Sequence, residues 1–187
     1  MLMKKHALFP SPKQLAQAAM LTAMSVVIGF FCKTYLNFGG GLFRVTFENL
    51  PIILSGILYG PIVGGIVGGS ADLISYLIAS FAQAYPPNLI VTLGAVTVGA
   101  TAGIFSRFIR RKGGYLQIIL SGMAAHLLGS MIVKPIGLYQ FYGIAVLWRI
   151  PLYLIIAPIE IFLLCYLLRR KSLQRITGYK WGGREQL

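Results

Sequence analysis

Acidic residues are scarce in this sequence, which has four Asp and Glu residues against 17 Lys and Arg residues in 187 positions. Charged residues of both signs make up only 11% of the chain, whereas about a quarter is usual for a soluble domain. Because 57% of the residues are hydrophobic, there are too few polar side chains to cover a surface in water. The composition excludes an ordinary soluble domain and predicts a single membrane domain over residues 1–187.

Sequence signatures of enzymes are missing as well. The chain has no GxxxxGK[ST] phosphate-binding loop and no HExxH zinc motif. It has two histidines and two distant cysteines, a set that is typical of neither a zinc site nor any other metal site. Cys32 and Cys165 also fall near opposite membrane faces in the span assignment below, which excludes a disulfide between them. We therefore predict no catalytic residue, no metal and no cofactor.

Apolar residues are grouped into stretches that approach the roughly 20 residues needed to cross a bilayer. Gly60-Pro61 marks a tight turn between two of these stretches. The pattern predicts an all-α integral membrane bundle of six transmembrane helices at about residues 14–32, 43–60, 62–80, 88–106, 116–134 and 145–168. The second span has the weakest pattern, because Pro51 lies inside it and Glu48 lies near its start.

Basic residues are distributed unevenly between the two sides of these six spans. One side keeps only Lys33, Arg44, Lys134 and Arg149. The other side has three clusters, formed by Lys4, Lys5, Lys13, Arg107, Arg110, Arg111, Lys112, Arg169, Arg170, Lys171, Arg175, Lys180 and Arg184. The positive-inside rule explains this asymmetry better than a nucleic-acid-binding patch does. We therefore predict a multi-pass plasma-membrane protein with cytoplasmic N- and C-termini and no nucleic-acid partner.

Polar and aromatic side chains converge on the outer half of the predicted bundle. Ionisable side chains within a membrane indicate function by default. The predicted substrate-binding residues are Arg44, Asp72, Tyr76, Asn88, His126, Tyr139, Trp148 and Arg149. Arginine offers a planar fork to carboxylates, a buried Asp accepts parallel hydrogen bonds from a ring edge, and Tyr and Trp stack on rings. The pattern predicts a pocket for a flat, polar, anionic small molecule.

Several of these residues have a structural alternative. Tyr139 and Trp148 fit an aromatic belt at the membrane interface equally well. Arg44 and Arg149 are also suited to pairing with Glu48. These alternatives stay open at the level of the sequence.

Three further ionisable residues differ in how strongly they indicate a site. We expect Lys134 to extend to the outer surface of the membrane. Glu160 has a structural role or forms part of a conformational lock, and the structural role is favoured. Asp72 has the weakest structural alternative, because a lone carboxylate at its depth needs a partner.

Five segments carry a family resemblance: FRVTFENLP at 43–51, LYGPIVGG at 58–65, GSADLISY at 69–76, WRIP at 148–151 and APIE at 157–160. Together they resemble the substrate-binding S components of energy-coupling-factor (ECF) vitamin transporters. The Gly-Pro turn, the small-residue run and Asp72 look most like the folate-specific members. Riboflavin-specific members share the Leu-Pro and Gly-Pro elements but often carry Lys near the position of Asp72. YPPN at 85–88 departs from the Phe-Pro-Gly expected before the fourth span.

The resemblance implies a subunit that binds a vitamin, folate above all, from outside the cell. It also implies association with a transmembrane coupling subunit and two ATPase subunits, with ATP hydrolysis elsewhere toppling the loaded subunit in the bilayer. The AMLTA segment is similar to the small-residue motif with which S components dock, so Ala19 and Ala23 are the implied docking residues. Segments near 33–42, 81–88 and 135–144 are expected to gate the pocket.

Three alternatives remain at this stage. The chain is an S component for riboflavin or another vitamin, an intramembrane enzyme that uses Asp72 or His126, or a helix-packing scaffold that binds no small ligand. An enzyme would lose turnover but not binding when its catalytic pair is replaced. A ligand-binding screen with purified protein separates the S component from the scaffold.

Overall fold

The computed structural model describes residues 11–38, 43–80, 88–109, 114–179 and 181, with only the backbone at 37, 38, 43, 44, 79, 80 and 142. Within these ranges the chain is helical apart from one short antiparallel hairpin. The elements are, in chain order, α1 (Pro12–Tyr35), β1 (Asn37–Phe38), β2 (Phe43–Arg44), α2 (Asn49–Tyr59), α3 (Pro61–Ser80), α4 (Leu89–Ile109), α5 (Gly114–Ala125), a π-helical segment (His126–Val133), α6 (Lys134–Tyr142), a 3₁₀ segment (Gly143–Trp148), α7 (Arg149–Arg169) and α8 (Lys171–Thr177).

Five of the six predicted spans are helices long and apolar enough to cross a membrane: Pro12–Tyr35, Pro61–Ile78, Leu89–Ile109, Gly114–Phe141 and Gly143–Arg169. Large apolar side chains on their outer surfaces are exposed, with Phe108 at 85% and Phe162 at 70%. Such extensive apolar exposure suits contact with lipid and not with water. The chain is therefore a multi-pass helical membrane protein.

The second predicted span, at residues 43–60, differs from the structure. Residues 43 and 44 lie in β2, and the helix begins only at Asn49. Its 11 residues extend about 16 Å, which is short of a hydrocarbon core of about 30 Å. Every residue from Asn49 to Ile57 is buried, against α1, α3, α4, α5 and α7. This helix, α2, is thus the centre of the bundle, and its apolar sequence reflects burial in protein.

Two of the three segments predicted as gates contain regular structure where they are described, and residues 39–42 of the first lie outside the described residues. α1 continues through Tyr35, so the segment at 33–42 begins as helix. The segment at 135–144 is mostly α6, which ends at Tyr142. Pro135 occupies one of the first positions of this helix. Gly143, with φ of 55°, ends that helix. Of the third segment, 81–88, only Asn88 lies within the described residues.

Glycines bring the backbones of α3 and α4 into contact. A Cβ atom built on Gly64 would collide with the backbone of Gly99, and one built on Gly99 would collide with the backbone of Gly64. Gly103, one turn further along α4, lies equally close to the backbone of Pro61. Close approach at small residues is how membrane helices pack. Gly64, Gly99 and Gly103 thus let α3 and α4 pack backbone against backbone.

One end of the bundle gathers six of the described basic residues. The hydroxyl of Tyr59 donates to Gln17, whose amide donates to the carbonyl of Ile176, at 3.0 Å each. Gly60 lies against the guanidinium of Arg107. The start of α1, the α2–α3 turn, the end of α4 and α8 therefore meet at this basic end, which we define by Lys13, Arg107, Arg169, Arg170, Lys171 and Arg175.

We predict that Gly64→Ala lowers the free energy of unfolding by about 1–3 kcal/mol, because its new methyl group would overlap the backbone of Gly99. Gly65→Ala is the matched control, since a Cβ atom there would lie 3.4 Å from Cγ1 of Val96. Thermal unfolding of both variants in the same detergent is the measurement. Equal melting temperatures for the two variants would contradict the close approach of α3 and α4.

Candidate functional site

A polar cleft lies inside the bundle, near the start of α2 and therefore away from the basic end. It is lined by Ser25, Glu48, Ile52, Ala71, Asp72, Ser75, Ala95 and Lys134. These residues come from α1, α2 and the residue before it, α3, α4 and the first position of α6. The free volume is about 10 Å³, which is the space that one water molecule needs. The site is thus assembled from five parts of the chain and is almost closed in this structure.

Asp72 lies in the wall of this cleft. Its Oδ2 accepts a hydrogen bond of 2.7 Å from the hydroxyl of Thr92 on α4. This bond satisfies the need for a partner, while the carboxylate keeps further acceptor capacity for a ligand. Tyr76, one turn further along α3, is partly buried, as is Ser75 in the cleft wall.

Lys134 corrects an expectation from the sequence, since it does not extend to the outer surface. Its side chain is only 4% exposed, and Nζ donates to Oδ1 of Asn49 at 2.9 Å. The same Nζ lies 3.7 Å from Oε1 of Glu48. The amide of Asn49 donates in turn to the hydroxyl of Ser130 at 3.4 Å. A charged lysine thus belongs to the interior of the site.

Glu48 lies between α1 and α6 at the residue that precedes α2. Its backbone carbonyl accepts a hydrogen bond of 2.7 Å from Oγ of Ser25. Its Oε2 faces Gly29, where an added Cβ atom would lie 2.8 Å away. The glycine therefore allows the carboxylate to lie directly against the backbone of α1.

His126 lies with Glu160 and is not among the described residues that line the cleft. Its Nε2 is 2.8 Å from Oε2 of Glu160, and both side chains are almost completely buried. The ring of Tyr153 lies 6.5 Å from the imidazole. This placement agrees with a structural role for Glu160, and substrate contact by His126 stays a prediction.

Asn88 caps α4. Its Oδ1 accepts hydrogen bonds from the backbone N–H groups of Ile90 at 3.1 Å and Val91 at 3.3 Å. Its amide donates to the carbonyl of Gly137 on α6. The side chain thus joins the start of α4 to α6, and substrate contact by Asn88 also stays a prediction.

None of the four remaining predicted substrate-binding residues is among the described residues that line the cleft. Tyr139 and Trp148 are 56% and 65% exposed, which fits the interfacial aromatic belt. Arg149 is partly buried at the first position of α7. The backbone of Arg44 pairs with Asn37 in the hairpin, and β2 contacts α7, but the side chain of Arg44 lies outside the described residues.

Ala19 and Ala23, the predicted docking residues, are exposed on α1. Ala18 and Thr22, one position earlier in each case and about 100° around this helix, are buried. The small-residue pair therefore faces outward from the bundle, where a partner can reach it.

Sequence reasoning missed four polar residues of the site region: Ser25, Asn49, Ser75 and Thr92. Ser75 follows Asp72 by three positions, a spacing that places both on one helical face. Asn49 follows Glu48 directly at the start of the predicted second span. Ser25 and Thr92 are single hydroxyl residues in apolar helices, and nothing in the sequence distinguished them from ordinary packing residues.

Comparisons with known proteins bear on this site. The family model described as "ECF transporter, substrate-specific component" matches residues 13–178. The folate transporter FolT of Clostridium novyi (strain NT) is 24% identical over 124 residues, a match that covers 66% of this chain and 69% of that protein. A crystal structure of FolT bound with folic acid is similar with a TM-score of 0.63 and 26% identity, covering 83% of this chain and 94% of that one.

The family match extends from the start of α1 to the residue that follows α8. It confirms the resemblance found in the sequence motifs, and it makes the chain a substrate-binding subunit of a transporter and not an enzyme. On these grounds the chain belongs to the family of ECF transporter substrate-specific components.

Proposed function

We propose that this chain is the folate-binding S component of an ECF importer in the plasma membrane. The single observation that carries the proposal is the carboxylate of Asp72, held by Thr92 in a polar cleft inside the bundle. The likeness to folate transporter FolT and to FolT bound with folic acid supports folate as the substrate.

The chemistry of the cleft suits the pterin ring of folate. A pterin edge presents an amino group beside a ring N–H, a pair that matches the two oxygens of a carboxylate such as Asp72. Ile52, Ala71 and Ala95 add apolar walls for the faces of the ring. Arg149 and Arg44 are the proposed partners of the anionic tail, at the start of α7 and in the adjacent strand β2.

The proposed topology has six spans in a single domain, with α2 as the sixth, and both termini in the cytoplasm. The basic end supports this orientation, because lysine and arginine are enriched on the cytoplasmic side of membrane proteins. The start of α2, and with it the cleft, then faces outward. A site open to the outside suits a subunit that captures a vitamin for import.

The proposed partners are a transmembrane coupling subunit and two ATPase subunits, as membership of the family implies. The sequence itself has no phosphate-binding loop, which fits ATP hydrolysis on other subunits. The exposed Ala19 and Ala23 pair on α1 is the proposed docking surface.

We predict that the purified chain binds folate in the absence of ATP, because the residues proposed to contact the ring all belong to this chain. Isothermal titration and thermal unfolding with folate, riboflavin, pantothenate and thiamine are the measurements. Binding of riboflavin without binding of folate would overturn the substrate assignment. Binding of none of the four would favour the helix-packing scaffold.

We predict that Asp72→Asn weakens folate binding strongly, since it removes the charge and one acceptor from the cleft. Losing one partner of a buried charged hydrogen bond costs about 2–5 kcal/mol, or roughly 30- to several-thousand-fold in affinity. Thr92→Val should have a smaller effect, because it removes only the hydroxyl that orients the carboxylate. Calorimetric titrations with folate and with bare pterin measure both variants.

Glu160→Gln is the control for Asp72→Asn, because it makes the same change from carboxyl to amide at a buried residue that does not line the cleft. The folded fraction of each variant is measured by thermal unfolding before titration. If Asp72→Asn binds pterin as tightly as the wild type does, the carboxylate is structural and the proposed position of the ring is wrong.

We predict that replacing both Ala19 and Ala23 with Leu blocks folate uptake by cells but preserves folate binding by the purified chain. Bulk at small-residue positions keeps helices apart, and both alanines are exposed. The matched control replaces Met20 and Met24 with Leu, since these exposed residues of α1 keep nearly the same volume. Normal uptake by the alanine double variant would exclude this docking surface.

A further inference from the structure

A stripe of buried residues runs along α5, the π-helical segment and the start of α6 at a spacing of four. It consists of Ile118, Gly122, His126, Ser130 and Lys134. In a regular α-helix each step of four residues drifts by about 40°, so five such residues would turn by about 160°. A π-helix has wider turns with i→i+5 hydrogen bonds, and residues four apart drift less. The π-helical segment therefore keeps Lys134 on the inner side.

The surroundings of Lys134 accommodate its whole side chain. Nζ contacts Asn49 and Glu48, as described above. Its aliphatic part passes Gly94 of α4, where an added Cβ atom would lie 2.6 Å from Cγ of Lys134. A larger residue at position 94 would displace the lysine. The helix winding and this glycine both favour an ammonium in the cleft.

Lys134 lies beside Glu48, and both residues line the same small cleft as Asp72. The ammonium also supplies the donor for the buried amide oxygen of Asn49. Losing that donor would leave a buried acceptor unsatisfied.

We propose that Lys134 is a positioning residue of the substrate cleft. It fixes Asn49 and Glu48 beside the part of the cleft wall that holds Asp72. This inference rests on the proposed function, in which Asp72 binds the ring. Two other roles make different predictions: direct contact between Lys134 and the anionic tail of folate, and a purely structural contribution to the bundle.

The test compares wild type, Lys134→Met, Glu48→Gln and the double variant in calorimetric titrations with folate and with bare pterin. Lys134→Met should weaken both ligands about equally, by about tenfold, because it acts on the site of the ring that they share. The double variant should bind both ligands more tightly than Lys134→Met does, because Glu48→Gln removes the carboxylate whose contact with the Lys134 ammonium is already lost. Lys13→Met, at an exposed position of α1, is the matched control and should leave both affinities unchanged.

Two results would overturn the proposal in different ways. A loss confined to folate, with pterin affinity intact, would mean that Lys134 contacts the tail. Unchanged affinities with a lower melting temperature would mean that it is only structural.

A failure of the proposed function is seen separately, in the wild type. If the wild-type chain binds riboflavin and not folate, the same four proteins are titrated with riboflavin, and the double variant should again bind more tightly than Lys134→Met. If it binds neither, the melting temperatures of the four unliganded proteins test whether Lys134 and Glu48 are coupled. Effects of Lys134→Met and Glu48→Gln that simply add would then refute the coupling between the two residues.

Discussion

The ammonium of Lys134 lies inside a bundle whose outer surface is apolar, where it contacts the amide oxygen of Asn49 and lies near the carboxylate of Glu48. A charge in such surroundings requires partners, so these contacts constrain the helices that carry them. They join the start of α2 to the start of α6. Ser25 extends the connection to α1 through the carbonyl of Glu48. The cleft exists where it does because these elements converge on one buried charge.

The contacts between backbones at the glycines have a complementary role. α2, α3 and α4 meet at Gly56, Gly64 and Gly99, where there is no room for a side chain. Packing of this kind depends on shape and does not need charge or a hydrophobic driving force. It holds α3 and α4 together between the cleft and the basic end, so that Asp72 of one helix and Thr92 of the other stay within hydrogen-bond distance. The glycine packing of α3 and α4 thus supports the geometry of the polar cleft.

The sequence was informative about the spans and about Asp72. It was less informative about which side of a helix a polar residue occupies and how deeply that residue is buried. Long apolar runs are visible directly in the sequence, so they predicted five helices well. The inward direction of Lys134 depends on a π-helical segment, and no sequence pattern was read as a change of helix type. The burial of α2 on all sides was not expected, since a helix covered by protein and one covered by lipid have similar apolar sequences. His126 was assigned to the pocket by its depth alone, and its pairing with Glu160 could not be read from the sequence.

The size of the cleft has a consequence for how a ligand enters. A space of about 10 Å³ holds one water molecule, and a pterin ring needs far more. α3 and α4 are in contact at Gly64 and Gly99, so separating them would break close packing along both helices. The side chain of Lys134 is long and unbranched, and it can move at a smaller cost than two packed backbones. Room for a ring must therefore come from the polar side chains and the rim of the cleft. The same charges that hold the closed cleft together would then be the groups that a bound ligand rearranges.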